Sequence, residues 1–411
     1  MRRLFCLLLI LPALAAGLSA AGIHGYFKSF ALTLMLPDSL AIRDTNPPLG
    51  LVTNRLRMTF STSVSASVSV EAAWDLSPGY SGSIPEGYFP STMKADSPQD
   101  YRAVDFKPRL SPPSGDPAEN FSLSHNLDRL LVTIRFPGAD LYIGRQAIAW
   151  GSGRMVNPTD LITPFTFNEL DTEDRRGVDA IRLRVPLGMM DELDLGWVAG
   201  RHFALDRSAF FLRGKFHLGG TDMALLAMAF RRHFLVGLDM AGSIGGAGAW
   251  LEAAWVKPFA FRSSEPGDHN AYFRLSTGMD YKFSGIVYAF GEYHFNSAGS
   301  GNPATYASLA DTAAFRDGSV YLMGRHYITL GSTIQATPLL PVSLMVIWNL
   351  DDGSLTMAPS AEYNVAENVY LVLGAYFAFG ETPATDAAGL LPRSEFGTWP
   401  HMLYTAFRYY F

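Results

Sequence analysis

The chain reads as an all-β protein: a transmembrane antiparallel β-barrel of about 18 strands, within a range of 16 to 18. Three observations predict this. Stretches about ten residues long alternate apolar and polar side chains, the period-two signature of a strand. The longest clean apolar run, 369–380, has 12 residues, well below the roughly 18 that make a helical span. Only 17% of the residues are charged while 48% are hydrophobic, whereas a soluble domain carries about a quarter charged.

The first element, residues 1–21, reads as a secretory signal. Arg2 and Arg3 form a basic start, 4–14 an apolar middle, and Ser19, Ala20 and Ala21 a small-residue cleavage site. Residues 22–411 then form a single barrel domain. Cys6, the chain's one cysteine, lies in the signal, so the exported chain has no thiol for disulfides, thiolate zinc sites, covalent haem or a lipidated terminus. The formal charge of −6 argues against a nucleic-acid partner.

Strands follow at 25–35, 50–60, 63–74, 127–136, 140–150, 178–187, 192–203, 208–218, 222–231, 234–243, 247–257, 271–283, 286–295, 320–334, 341–350, 354–364, 369–379 and 402–411. In 63–74 the even positions Val64, Ala66, Val68, Val70, Ala72 and Trp74 oppose Ser63, Ser65, Ser67, Ser69 and Glu71. In 271–283, Phe273, Leu275, Met279 and Tyr281 oppose Arg274, Ser276, Asp280 and Lys282. Sandwich strands average about five or six residues, whereas a tilted membrane-crossing strand needs about 9 to 11. Only closure satisfies every backbone group in hydrocarbon.

The connections alternate in length, as short periplasmic turns and longer outer loops do. Short ones fall at Ser61-Thr62, Pro137 to Ala139, Gly188 to Asp191, Gly219 to Thr221, Ser243 to Gly246, Ser284-Gly285, Thr337 to Leu340 and Val365 to Asn368. The long outer loops include 75–126, rich in proline, and 151–177. An even strand count puts both termini in the periplasm. The last strand sets Leu403, Thr405, Phe407, Tyr409 and Phe411 against Tyr404, Ala406, Arg408 and Tyr410. An amphipathic strand ending on Phe resembles the insertion signal of Gram-negative outer-membrane barrels.

A Lys or Arg facing lipid at the midplane costs about 2 to 4 kcal/mol, so the charged faces point inward. Arg55, Arg57, Arg129, Arg135, Arg182, Arg184, Arg274, Lys282 and Arg408 thus make a basic inner wall against Glu71, Asp194 and Asp280. A barrel this wide encloses a water channel or something that fills it. The seven tryptophans, Trp74, Trp150, Trp197, Trp250, Trp255, Trp348 and Trp399, fall near strand ends and read as an interfacial girdle. No nucleophile–base pairing or metal-ligand spacing stands out among the scattered histidines, which predicts neither enzyme activity, metal nor cofactor. Asp351-Asp352-Gly353 reads as a turn.

Segment 140–184 carries Gly144-Arg145-Gln146, Trp150-Gly151, Arg154 and, on the return strand, Asp179, Arg182 and Arg184. This arrangement resembles the alginate-export type of outer-membrane barrel and related porin-like barrels, in which the corresponding basic residues line a passage for an acidic polysaccharide. Arg145, Arg154, Arg182 and Arg184 match by position; the acidic, proline-containing insert from Asn157 to Arg176 departs from the pattern, so the substrate is not carried over. Guanidinium groups grip carboxylates bidentately, and opposed acids, here Asp160, Asp171, Glu173 and Asp179, would set a field across a constriction. The competing reading pairs Arg145, Arg154, Arg175 and Arg176 with Asp160, Glu169, Asp171 and Asp174 to hold the loop.

The function expected is an outer-membrane channel, bounded by lipid and lipopolysaccharide, for passive diffusion of small polar or anionic solutes. The alternatives are a surface receptor or adhesin barrel, or a sheath for a periplasmic exporter or electron-transfer partner.

Overall fold

The computed structural model describes residues 22–37, 49–81, 101–112, 120–261, 269–386 and 389–411. The signal at 1–21 and Pro85, Pro90, Pro98, Pro113 and Pro117 of the first long loop lie outside the described residues. Eighteen strands form one ring: β1 (Gly22–Met35), β2 (Leu49–Ser65), β3 (Val68–Ser81), β4 (Phe121–Phe136), β5 (Ala139–Gln146), β6 (Val178–Pro186), β7 (Glu192–Val198), β8 (Ala209–Leu218), β9 (Thr221–Phe230), β10 (His233–Ile244), β11 (Ala247–Lys257), β12 (Tyr272–Lys282), β13 (Val287–Asn296), β14 (His326–Thr337), β15 (Leu340–Asn349), β16 (Leu355–Ala366), β17 (Val369–Phe379) and β18 (His401–Tyr410). Each pairs antiparallel with its neighbours in sequence, and β18 returns to β1 with Tyr26 opposite Tyr410 and Met35 opposite His401. No sheet edge is left open, the condition for a strand-built wall in lipid.

Alternation fixes which face is which. Leu130, Ile143, Ile181, Leu225, Leu330 and Leu373 project outward and are exposed, while Lys28, Arg57, Asp194 and Arg274 point inward and are buried. An apolar exterior on this scale marks a lipid-facing surface. A one-residue slip of β12 would turn Arg274, Asp280 and Lys282 into that surface together.

Eight connections at one end are short, and both β1 and β18 have their outer termini at that end. Gly219-Gly220 and Gly245-Gly246 have positive φ at both turn positions (58° and 83°, 56° and 89°), the backbone that two-residue hairpins require and glycine adopts without strain.

Several expected boundaries are corrected. The first short turn is Ala66-Ser67, not Ser61-Thr62. A register shift between Ser63 and Ser65 keeps Ser63 opposite Ser69, so the alternation runs through the turn unbroken and conceals it. The long loop expected at 75–126 spans only 82–120, because β3 continues to Ser81 and β4 begins at Phe121. Expected strand ends at 147–150, 199–200 and 320–325 are loop and 201–203 is a 3-10 turn; Ile148, Trp150, Val320 and Leu322 are apolar because they pack inside the barrel mouth. An apolar run does not distinguish wall from lid. Trp74, Trp255 and Trp348 are exposed on the outer face, as a girdle requires, whereas Trp150 and Trp250 are buried and Trp399 packs against Phe167 of a loop.

Candidate functional site

Residues 147–177, between β5 and β6, do not stay outside the barrel. They fold into it as a strap touching β1, β2 and β18 on one side and β10 to β13 on the other. Its first half is held by two wall glutamates. Glu252 on β11 accepts from Ser152 N (3.2 Å), Gly153 N (3.3 Å), Thr159 N (2.7 Å) and Thr159 Oγ1 (2.7 Å). Glu292 on β13 accepts from Arg154 N (2.6 Å), Met155 N (3.2 Å), Val156 N (3.3 Å) and Trp250 Nε1 (2.9 Å). The glutamates are 0% and 3% exposed. Gly151 makes the approach possible: its φ is +107°, and a Cβ there would sit 2.6 Å from Glu252 Oε2. Arg154 extends to Asp280 Oδ2 (2.5 Å) and lies over the Trp250 ring.

The strap's middle is apolar and self-paired. Phe167 packs on Phe396 and Trp399, and its carbonyl accepts from Tyr376 Oη at 3.1 Å. Asp160 pairs with Arg175 at 2.9 Å, yet burial pushes its carboxyl up to about 7 against that attraction.

The second half is held by charge. Asp171 lies 2.8 Å from Lys28 Nζ and 3.3 Å from Arg55; Glu173 lies 2.6 Å from the same Lys28. Tyr410 Oη donates to Glu173 and Tyr26 Oη to Asp174, both at 2.7 Å. Burial opposes ionisation of Asp171, but Lys28 and Arg55 outweigh it and hold its carboxyl below the usual range. The strap then ends against Asp128, which accepts from Gly177 N at 2.9 Å. A bulge at Asp128, between Leu127 opposite Trp74 and Arg129 opposite Ala73, lets two consecutive residues, Asp128 and Arg129, work on the same side.

The expected site residues do not form one cluster. Asp171 and Glu173 meet at Lys28. Arg154 is across the barrel with Asp280. Arg182 grips Asp194 bidentately at 2.8 and 2.6 Å, and Arg184 meets Glu192 at 2.5 Å. Arg145 is saturated at the barrel rim: it bonds Asp179, Asp105 and the carbonyls of Leu127 and Val104, while Asp179 also accepts from Ala103 N. Of the loop-holding pairs expected, Arg175 with Asp160 is present, whereas Arg145 and Arg154 bind wall or rim carboxylates. Lys28, Glu252 and Glu292 were not singled out by sequence. Their signal was present: each is an isolated charge on the inward parity of an otherwise apolar or small-residue strand.

Asp351 and Asp352 form the turn expected and tie three loops. Asp351 accepts from Arg325 N and His326 N, and Asp352 from Ser354 N and Glu395 N.

No protein-family model and no curated protein sequence matches this chain. Solved structures do. A BenF-like porin from Pseudomonas fluorescens Pf-5 is 10% identical, with TM-score 0.59 over 96% of this chain and 99% of that one. OccAB2 of Acinetobacter baumannii is 7% identical, TM-score 0.57, over 96% and 98%. The outer membrane protein opdK of Pseudomonas aeruginosa is 9% identical, TM-score 0.56, over 96% and 99%. The fold is that of a porin. In this porin fold the wall supplies the fasteners for the strap.

Proposed function

We propose that the protein is an outer-membrane channel through which small polar or anionic solutes diffuse passively. The observation carrying this reading is a closed 18-strand ring with a greasy exterior, whose lumen is crossed by a strap seated on Lys28, Arg55 and Arg57. These cations stand in ion pairs with wall and strap carboxylates, and cationic groups lining a passage attract anions where such pairs open. Residues 1–21 are taken as a cleaved signal, the short turns and both termini as periplasmic, the outer wall as covered by lipid and lipopolysaccharide, and the protein as without enzymatic activity. Kinship with alginate-export-type barrels belongs to the same proposal, supported by the Gly144–Arg154 and Asp179–Arg184 stretches, without that family's substrate. Arg182 and Arg184 are assigned to the passage wall and tune its selectivity, together with Arg154, Asp160, Asp171 and Glu173 on the strap; Arg145 and Asp179 contribute by holding the rim.

Purified protein in a planar bilayer tests this. Stable conductance steps with anion preference in a salt gradient are expected. A correctly folded barrel that passes no current would sink the reading and favour a display barrel or a sheath.

A further inference from the structure

The geometry points to a carboxylate-binding seat formed by Lys28, Arg55, Tyr26 and Tyr410, which the strap's own Asp171 and Glu173 occupy as a tethered stand-in for a small dicarboxylate. This deepens the channel reading above and rests on it.

The seat follows from register. Lys28 stands directly opposite Arg55 across β1 and β2, and Tyr26 opposite Arg57. Like charges facing each other in a ladder are destabilising, so the pair demands anions. The wall supplies them unequally. Asp75 takes Arg55 and Arg57, and Asp128 takes Arg57 and Arg129. Lys28 is passed over: among the described residues its two ionic partners, Asp171 and Glu173, both belong to the strap. The Tyr26 ring lies 4.0 Å from its ammonium. Lys28 is 0% exposed, and a buried ammonium without a counter-charge is costly. When the strap's acidic run withdraws, water or another anion takes its place.

Exchange is feasible because the stand-in is reachable. The Glu173 side chain is 45% exposed and that of Asp171 17%, so water and solutes reach these carboxylates although Lys28 beneath them is buried. The two glutamates that hold the other half, Glu252 and Glu292, are buried. The strap therefore has a fixed half and an exchangeable half. Two carboxylates converge on one ammonium, with one guanidinium and a tyrosine hydroxyl completing their bonds. That donor set fits a short-chain dicarboxylate. A solute that takes the seat also moves the acidic run away from the wall, so occupancy and passage are coupled. The tethered competitor lowers apparent affinity by the fraction of time the seat is free.

The test titrates succinate against chloride current through the purified full-length barrel, with calorimetry of succinate binding in detergent as a second readout. Replacement of both acids, D171N/E173Q, is expected to lower the half-blocking succinate concentration about tenfold by removing that competition. K28Q is expected to abolish block and binding heat. A strap that is merely structural predicts noisier current in D171N/E173Q with no gain in block; that result, or an unchanged succinate affinity by calorimetry, overturns the seat. E173Q alone, at the most exposed position, replaces the double variant if that one does not fold. A barrel that binds succinate but carries no current overturns the channel reading and leaves the seat standing.

Discussion

The two halves of the strap are fastened by opposite strategies. Residues 151–159 offer backbone N–H groups to two carboxylates that have no access to water; residues 171–174 offer carboxylates to a lysine, arginines and tyrosines at a partly wet surface. The difference lies in what is left behind on release. Freeing the first half strands buried donors, each costing about 1–3 kcal/mol. Freeing the second exposes charges that water or a solute can satisfy. A segment held in this way pivots from its first half.

The sharpest way to break this contrast is to attack the fixed half. In E292Q one carbonyl oxygen replaces two carboxylate oxygens, and the amide group points donors at donors. About two abandoned N–H groups cost about 2–6 kcal/mol together. Thermal unfolding followed by circular dichroism in detergent should shift down, and single-channel conductance should rise and become unsteady. Unchanged conductance would mean that Glu292 does not position the strap.

Next is pH. The Asp160 carboxyl titrates near 7 within the fold and near 3.8 when unfolded, so the folded chain holds the proton more tightly. The stability this gives is complete below about pH 4 and is lost as pH rises toward 7, with no further change above it. The wild type should therefore unfold at a lower temperature at pH 8 than at pH 5. D160N should flatten that difference; an equal slope in both would remove Asp160 from the account.

A smaller effect is expected at the exchangeable half. The neutralised pair D171N/E173Q keeps amide oxygens that accept from Lys28, and the Glu173 position is open to water, so the unfolding temperature should fall less than in E292Q. A loss matching that of E292Q would erase the distinction between the halves. R182S/R184S on β6 is read in selectivity rather than in stability. It leaves Asp194 and Glu192 without their partners, so the anion-to-cation permeability ratio should fall. An unchanged reversal potential would take those arginines out of the selectivity proposal.

Much of the ring was legible because lipid enforces parity. In β12 and β18 every inward and outward side chain follows from cost alone, and all eighteen strands lie where alternation put them, with ends displaced. The strap was far less legible. Its acidic run is visible in the sequence, but nothing local says that Asp171 meets Lys28, 143 positions away, or that Glu252 reaches back to Thr159, 93 positions away. Such partners are set by how the ring brings distant strands round the lumen. The arginines of β6 misled in another way: their counter-charges sit on the neighbouring β7, where Asp194 faces Arg184 in the register, so a basic stripe in the sequence becomes a set of closed pairs in the wall.

Because the strap is pinned to opposite sides of the ring, it also acts as a tie bar across a wide hoop. Lateral squeezing by surrounding lipid, which would flatten an empty cylinder into an oval, is instead carried along residues 151–177 from Glu292 to Lys28. Such bracing lasts only while Asp171 and Glu173 stay seated on Lys28.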